Sequence, residues 1–200
     1  MHDKLIKILF TAVFFVSFAT ANIKAQQSDS LYHFNVDVGV GPAFYLTNMN
    51  YENVSSNSPF VFTFRALWKP EHLMQLGLES GYLPLFYLEK KFYDTIFGDT
   101  DTELSLNSVP IMGVFTMEVF KNFEIMGGVG GFVLISEVSA FNNRVVNTSW
   151  SNAYEFGFSY LHPINNKIKI GGEAKSYYIV RLENYDVVLH FTLRYTFFSY

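Results

Sequence analysis

The sequence predicts an all-β fold: a closed, eight-stranded, antiparallel up-and-down transmembrane β-barrel, preceded by a cleavable signal peptide. Three observations predict it. From Asp186 to Tyr200, apolar Val187, Leu189, Phe191, Leu193, Tyr195 and Phe197 alternate with the mostly polar His190, Thr192, Arg194 and Thr196. That period of two gives one face to lipid and the other to a polar lumen. Aromatic residues make up 18% of the chain, with 22 Phe and 13 Tyr, more than a soluble strand spends on one face. The connections between alternating segments are short at one end and mostly long at the other, the asymmetry of bacterial outer-membrane barrels.

The amino-terminal segment is read separately. Lys4 and Lys7 accompany an apolar run from Leu5 to Phe18, followed by Ala19-Thr20-Ala21 and by Ala25 before Gln26-Gln27. Charged, apolar and small residues in that order form a secretory signal peptide. The run is shorter than the roughly 20 residues a spanning helix needs. Residues 1–25 are therefore assigned to the signal peptide and residues 26–200 to one barrel domain. Removing that peptide takes away Asp3, Lys4, Lys7 and Lys24, so the remainder is more acidic than the whole chain at −4. An acidic chain has no electrostatic basis for binding nucleic acid. Cysteine is absent, which excludes disulfides, thiol chemistry and a lipidated amino-terminal cysteine. The remainder contains no apolar run long enough for a transmembrane helix.

Eight segments alternate. Leu31–Leu46 sets Phe34, Val36, Val38 and Val40 against Asn35, Asp37, Gly39 and Gly41. Pro59–Lys69 sets Phe60, Phe62, Phe64, Ala66 and Trp68 against Thr63, Arg65 and Lys69. Leu73–Leu83 sets Met74, Leu76, Leu78 and Tyr82 against Gln75, Gly77, Glu79 and Gly81. Glu103–Phe120 is less regular, and Pro110 within it predicts a bulge or a change of phase. Phe123–Ser136 carries Gly127, Gly128, Gly130 and Gly131, and its facing is ambiguous. Trp150–Leu161 sets Trp150, Tyr154, Phe156, Phe158 and Tyr160 against Ser151, Glu155, Gly157 and Ser159. Lys167–Val180 sets Ile168, Ile170, Ala174 and Tyr178 against Lys169, Gly171, Glu173 and Lys175. Asp186–Tyr200 is the eighth. Most exceed the roughly 9–11 residues of a tilted transmembrane strand.

Lys69–His72, Lys121-Asn122 and His162–Asn166 are the short connections. Thr47–Ser58, Pro84–Thr102 and Glu137–Ser149 are long and polar, whereas Leu182–Tyr185 is short. An even strand number with this asymmetry places the protein in the bacterial outer membrane with both termini periplasmic. Closure satisfies every backbone donor and acceptor in hydrocarbon. Trp68, Tyr82, Phe120, Trp150, Tyr160 and Tyr195 fall near predicted strand ends, where an interfacial girdle belongs, as does Phe123. Eight strands enclose a space just wide enough for side chains to fill, so a general porin channel is not expected.

The segment Leu104-Ser105-Leu106-Asn107-Ser108-Val109-Pro110-Ile111 resembles a strand of the PorT-like outer-membrane β-barrel family of Bacteroidetes-type bacteria. The glycine-rich stretch Gly127–Leu134, the run Gly172–Tyr178, the ending Phe191–Phe197 and the Ala25-Gln26 processing site resemble the same family. Leu106-Asn107-Ser108 departs from it, standing where an acidic-apolar pair is usual. The resemblance implies the fold and the membrane. Members mostly lack an assigned activity, and a few serve protein secretion.

Asp37, Arg65, Glu79, Glu155, Glu173, Lys175, His190 and Arg194 share the lumen-facing parity of their strands. Charges inside a narrow barrel must pair, because an unpaired buried charge is costly. These eight residues are expected to form a salt-bridge network that plugs the lumen; a conducting or proton-relaying interior is the sharper alternative. Asp94, Asp99, Asp101 and Glu103 around Gly98 form a weak calcium candidate without the spacing of a calcium hand; a solvated acidic loop is the default. No catalytic residue, metal or cofactor is expected. Of the five histidines only His190 lies on the lumen face toward the outer side, with no serine convincingly beside it. The expected partners are outer-membrane lipid, the barrel-assembly machinery during insertion and an envelope protein. The expected role is structural or interactive, through the extracellular loops. An accessory subunit of an envelope secretion or transport machine is the alternative, and a lipid-modifying enzyme a remoter one.

Overall fold

A computed structural model describes residues 32–46, 60–71, 74–92, 100–140 and 143–199. Eight strands follow one another: β1 His33–Leu46, β2 Phe60–Glu71, β3 Met74–Phe92, β4 Thr100–Phe120, β5 Phe123–Ala140, β6 Asn143–Pro163, β7 Ile168–Ile179 and β8 Asn184–Ser199. Each pairs antiparallel with its neighbours in sequence, and β1 pairs with β8, from His33 opposite Ser199 to Leu46 opposite Tyr185. The sheet closes as an all-β, eight-stranded up-and-down barrel. The proposed signal peptide, residues 1–25, lies outside the described residues.

Alternation decides which side chains face which way. Phe62, Phe64, Phe156, Phe158, Leu189, Phe191 and Leu193 are exposed on the outside, while Arg65, Glu155 and Arg194 between them are buried. A water-soluble barrel would place these apolar groups inward. Here they form the outer surface.

The strands are longer than alternation alone implies. Pro84–Thr102 and Glu137–Ser149, expected as loops, are largely strand: β3 runs to Phe92, β4 begins at Thr100, and β5 and β6 stay paired up to Ala140 opposite Asn143. Beyond the barrel rim β6 has solvent on both sides. Residues 143–148 are all exposed, so no apolar period marks them as strand. Their ladder is propagated by the hairpin rather than by burial. β7 meets β6 only as far as Ile179 opposite Ala153, so β3 to β6 project past β7 at the long-hairpin end. An exposed pair, Arg144 Nε to Glu137 Oε1 at 2.6 Å, joins β6 to β5 in this projection. Exposed pairs contribute little, so Arg144→Ala should leave the unfolding midpoint unchanged in a urea titration.

The opposite end closes with tight turns. In the Lys121-Asn122 turn, Asn122 adopts φ 67°, a left-handed conformation that asparagine tolerates, and its N–H donates to Glu118 Oε1 at 3.0 Å. Pro110, expected to bulge β4, does not. Ser80 opposite Ile111 and Leu83 opposite Ser108 keep one register across it, and the irregularity falls on β3 between Pro84 and Phe86.

Candidate functional site

The interior is built in two storeys. The first is a row of charge that closure assembles. Arg194 on β8 is opposite Asp37 on β1, Asp37 is opposite Arg65 on β2, and Arg65 is opposite Glu79 on β3. Four adjacent strands thus present alternating signs at one level, where directly opposed side chains interact most strongly. Arg194 grips Asp37 with Nε at 2.7 Å and Nη2 at 2.8 Å, and Glu124 with Nη1 at 2.5 Å and Nη2 at 2.9 Å. Arg65 Nη2 lies 3.0 Å from Asp37 Oδ2 and 2.5 Å from Glu173 Oε2, with Nη1 3.4 Å from Glu79 Oε2. Lys175 Nζ bonds both oxygens of Glu79 at 2.8 Å and sits 3.1 Å from Glu173 and 3.7 Å from Glu155. Tyr177 donates its hydroxyl to Glu79.

The network continues toward the short-turn end through neutral groups. Gln75 donates to Glu124 at 3.4 Å, Asn35 donates to Gln75 at 2.9 Å, and Thr196 donates to Asn35 at 2.7 Å. The fork of each guanidinium matches the geometry of two carboxylates, which a lysine cannot reproduce. All eight lumen charges expected from the sequence are buried here. Glu124, Gln75, Asn35 and Tyr177 belong to the same network and were not among them. Glu124 was hidden by the glycines of β5, which blurred that strand's facing. Its parity could have been read from Met126, which is also buried.

The second storey is apolar. Val61, Leu83, Leu85, Leu106, Phe132, Leu134, Ile179 and Val188 form a core toward the long-hairpin end. The expectation of an ionic inner face thus describes only part of the lumen. On β3 and β5 both faces are apolar at this level, and on β4 the buried Leu106 is flanked by the outward Ser105 and Asn107, which is why β4 and β5 are irregular in sequence. Phe132 meets Tyr177 edge-on at 5.3 Å, and Lys175 lies 5.3 Å from the Tyr177 ring centre, so Tyr177 joins the two storeys.

His190 lies between Thr63 Oγ1 at 3.4 Å and Glu173 Oε1 at 3.6 Å, but both approach the same ring nitrogen, Nδ1. A catalytic histidine takes a proton on one nitrogen and is oriented through the other, so this arrangement does not activate Thr63. Of the calcium candidates, Asp94 and Asp99 lie outside the described residues, as does the side chain of Asp101, and Glu103 is exposed on β4. Among the described residues no cluster of three or more His, Asp or Glu side chains could hold a metal ion.

The girdle candidates fall at two levels. Trp68, Phe120 and Tyr160 are exposed and Tyr195 half-buried near the short-turn end. Tyr82 and Trp150 are also exposed but do not lie at strand ends, because β3 and β6 continue past them. They mark instead the level at which β2 and β7 stop. The Trp150 ring covers the position where Gly131 would carry a Cβ, and Phe115 covers Gly127 in the same way, at 2.7 Å. Outward glycines thus sit beneath aromatic rings.

With this geometry established, solved structures provide the comparison. The barrel superimposes on Ail, the attachment invasion locus protein of Yersinia pestis, in its complex with the heparin analogue sucrose octasulfate. The TM-score is 0.54 at 12% identity, covering 84% of this chain and 99% of that one. This chain has the fold of a small outer-membrane barrel. Neisserial surface protein A matches at a TM-score of 0.42 and 13% identity, over 83% of this chain and 97% of that one. The outer membrane protein OprG from Pseudomonas aeruginosa matches at 0.39 and 12%, over 84% and 94%. No protein-family model and no curated protein sequence matches the chain.

Proposed function

We propose that this chain is an integral outer-membrane barrel of a bacterial envelope, closed to solutes, whose role is structural or interactive and is exerted through its long-hairpin end. One observation carries the reading: an apolar, aromatic outer surface surrounds an interior filled by ion pairs and an apolar core. That surface suits acyl chains, and that interior leaves no aqueous path. The lipid of the outer membrane and the barrel-assembly machinery are then its obligatory partners. The girdle residues Trp68, Tyr82, Phe120, Trp150, Tyr160 and Tyr195 hold it at the two interfaces. Both termini are periplasmic, a reading supported by the tight turns at their end of the barrel. The projection of β3 to β6 supports contact with an envelope protein partner outside.

Because the chain lacks cysteine, orientation is testable by single substitutions. With Asn143→Cys, intact cells should react with a membrane-impermeant maleimide, and with Asn165→Cys they should react only after the outer membrane is permeabilised. The reverse pattern would refute the orientation. The lipid-facing assignment makes a separate prediction. Phe64, 44% exposed and flanked across the sheet by Val38 and Ser80, lies on the outer wall of the barrel. Phe64→Arg should destabilise the barrel by about 2–4 kcal/mol in lipid, the range for arginine at the bilayer midplane. Equal stability of the two proteins in vesicles would count against a lipid-facing Phe64.

The PorT-like resemblance favours a second reading, an accessory subunit of an envelope secretion machine. A secretion defect in a strain lacking the protein would select it. An altered lipid A mass would instead point to lipid modification.

A further inference from the structure

Two carboxyls of the interior accept no hydrogen bond from the ion-pair network. Glu155 is 5% exposed and Asp186 0%, yet neither has a hydrogen-bond partner on either oxygen among the described residues. The registers set them in one row: Glu155 is opposite Tyr177 across β6 and β7, and Tyr177 is opposite Asp186 across β7 and β8. Both therefore flank the tyrosine that joins the ionic storey to the apolar one.

The surroundings of each group leave no cation of its own to balance it. Glu155 Oε1 is 3.7 Å from Lys175 Nζ, an ion-pair contact too long for a hydrogen bond, and that one ammonium is shared with the nearer Glu79 and Glu173. Its Oε2 points at Gly128 on β5, where a Cβ would stand 3.0 Å away. The Tyr177 hydroxyl is committed to Glu79. Asp186 is opposite Tyr45 on β1, whose hydroxyl accepts from Asn184 at 3.0 Å. On the same inner face, the buried Val188 on β8 and Ile179 on β7 are apolar. Across the lumen, Arg65 on β2 and Arg194 on β8 face Asp37, Glu79, Glu124 and Glu173, and His190 stands beside Glu173. On β4 the facing residues, Met112 and Val114, are apolar. The cations Arg65, Lys175 and Arg194 already face four carboxylates before Glu155 and Asp186 are added.

We propose that Glu155 and Asp186 form a proton-binding site at the junction of the two storeys, each holding its proton in the folded barrel. A buried carboxyl with no hydrogen bond, and with no cation left over for it, is far cheaper neutral than ionised. As neutral acids, both also spare the apolar core a charge at its floor. Folding then takes up two protons that the unfolded chain has released above about pH 4. The sign follows: the unfolded state binds fewer protons, so stability falls as pH rises.

The test uses the full chain refolded in detergent micelles, with urea unfolding followed at intervals from pH 5 to pH 8. The two sites should contribute up to a tenfold fall in the folding equilibrium constant per pH unit for each proton held. The double substitution Glu155→Gln with Asp186→Asn should remove that part of the slope. Infrared spectroscopy of the wild-type protein at neutral pH should show the C=O stretch of a protonated carboxylic acid, absent from the double variant. If the variant does not fold, the wild-type spectrum decides. A wild-type spectrum without that band, or a pH slope unchanged by the two substitutions, would overturn the proposal.

Discussion

Replacing Arg194 with alanine is expected to lower the unfolding free energy by about 3–5 kcal/mol, the range for removing one partner of a buried ion pair. The guanidinium is 2% exposed and makes four short hydrogen bonds, two to Asp37 and two to Glu124. Its loss leaves Glu124, among the described residues, with the 3.4 Å contact from Gln75 and leaves Asp37 to share Arg65 with Glu79 and Glu173. Much of the cost is therefore the stranding of carboxylates rather than the loss of attraction. Arg194→Lys should recover part of it, because an ammonium restores the charge but not the double fork. Urea unfolding of the refolded barrel reads both values. A loss below about 1 kcal/mol for Arg194→Ala, the size of an exposed pair, would show that water reaches this level and that the interior is not sealed.

Different physical signals made different parts of the molecule legible in the sequence. Strand parity sufficed for Asp37, Arg65, Glu79 and Arg194, because each sits on a strand whose other face is plainly apolar. It failed wherever the two faces resemble each other. In β5, Gly127 and Gly131 face outward beneath Phe115 and Trp150, while Gly128 faces inward against Glu155, so the glycine run has no readable phase. Glu124 at the start of that strand was lost with it. In β3 and β4 the inner face changes from Glu79 and Thr116 to Leu83, Leu85 and Leu106, so the apolar storey erases the alternation. Beyond the rim the reverse applies: both faces of residues 143–148 are wet, and strand looks like loop. The register that aligns Glu155, Tyr177 and Asp186 is set by the pairing of β6 with β7 and of β7 with β8. No local pattern on β6, β7 or β8 contains it.

Strand pairing also dictates where a side chain is forbidden, and two adjacent glycines of β7 should separate sharply. A Cβ built on Gly171 falls on the carbonyl oxygen of Tyr160 and stands 3.0 Å from the Leu161 Cα, both on β6. A Cβ on Gly172 meets nothing nearer than the His190 carbonyl oxygen at 3.9 Å, ordinary contact. Gly171 is opposite Leu161 and Thr192, so it is held on both sides near the end where a turn joins β6 to β7. The neighbour it would strike is backbone, which cannot rotate away as a side chain can. Gly171→Ala must push β7 off β6 and weaken a ladder that has no water to replace its hydrogen bonds. The expected cost is about 3 kcal/mol or more, the upper range for overpacking, seen as a lower urea midpoint or as failure to refold. Gly172→Ala should match the wild-type protein or exceed it slightly, since alanine reduces the freedom of the unfolded chain. Equal effects of the two substitutions would mean that β6 and β7 do not approach each other as closely as this barrel requires.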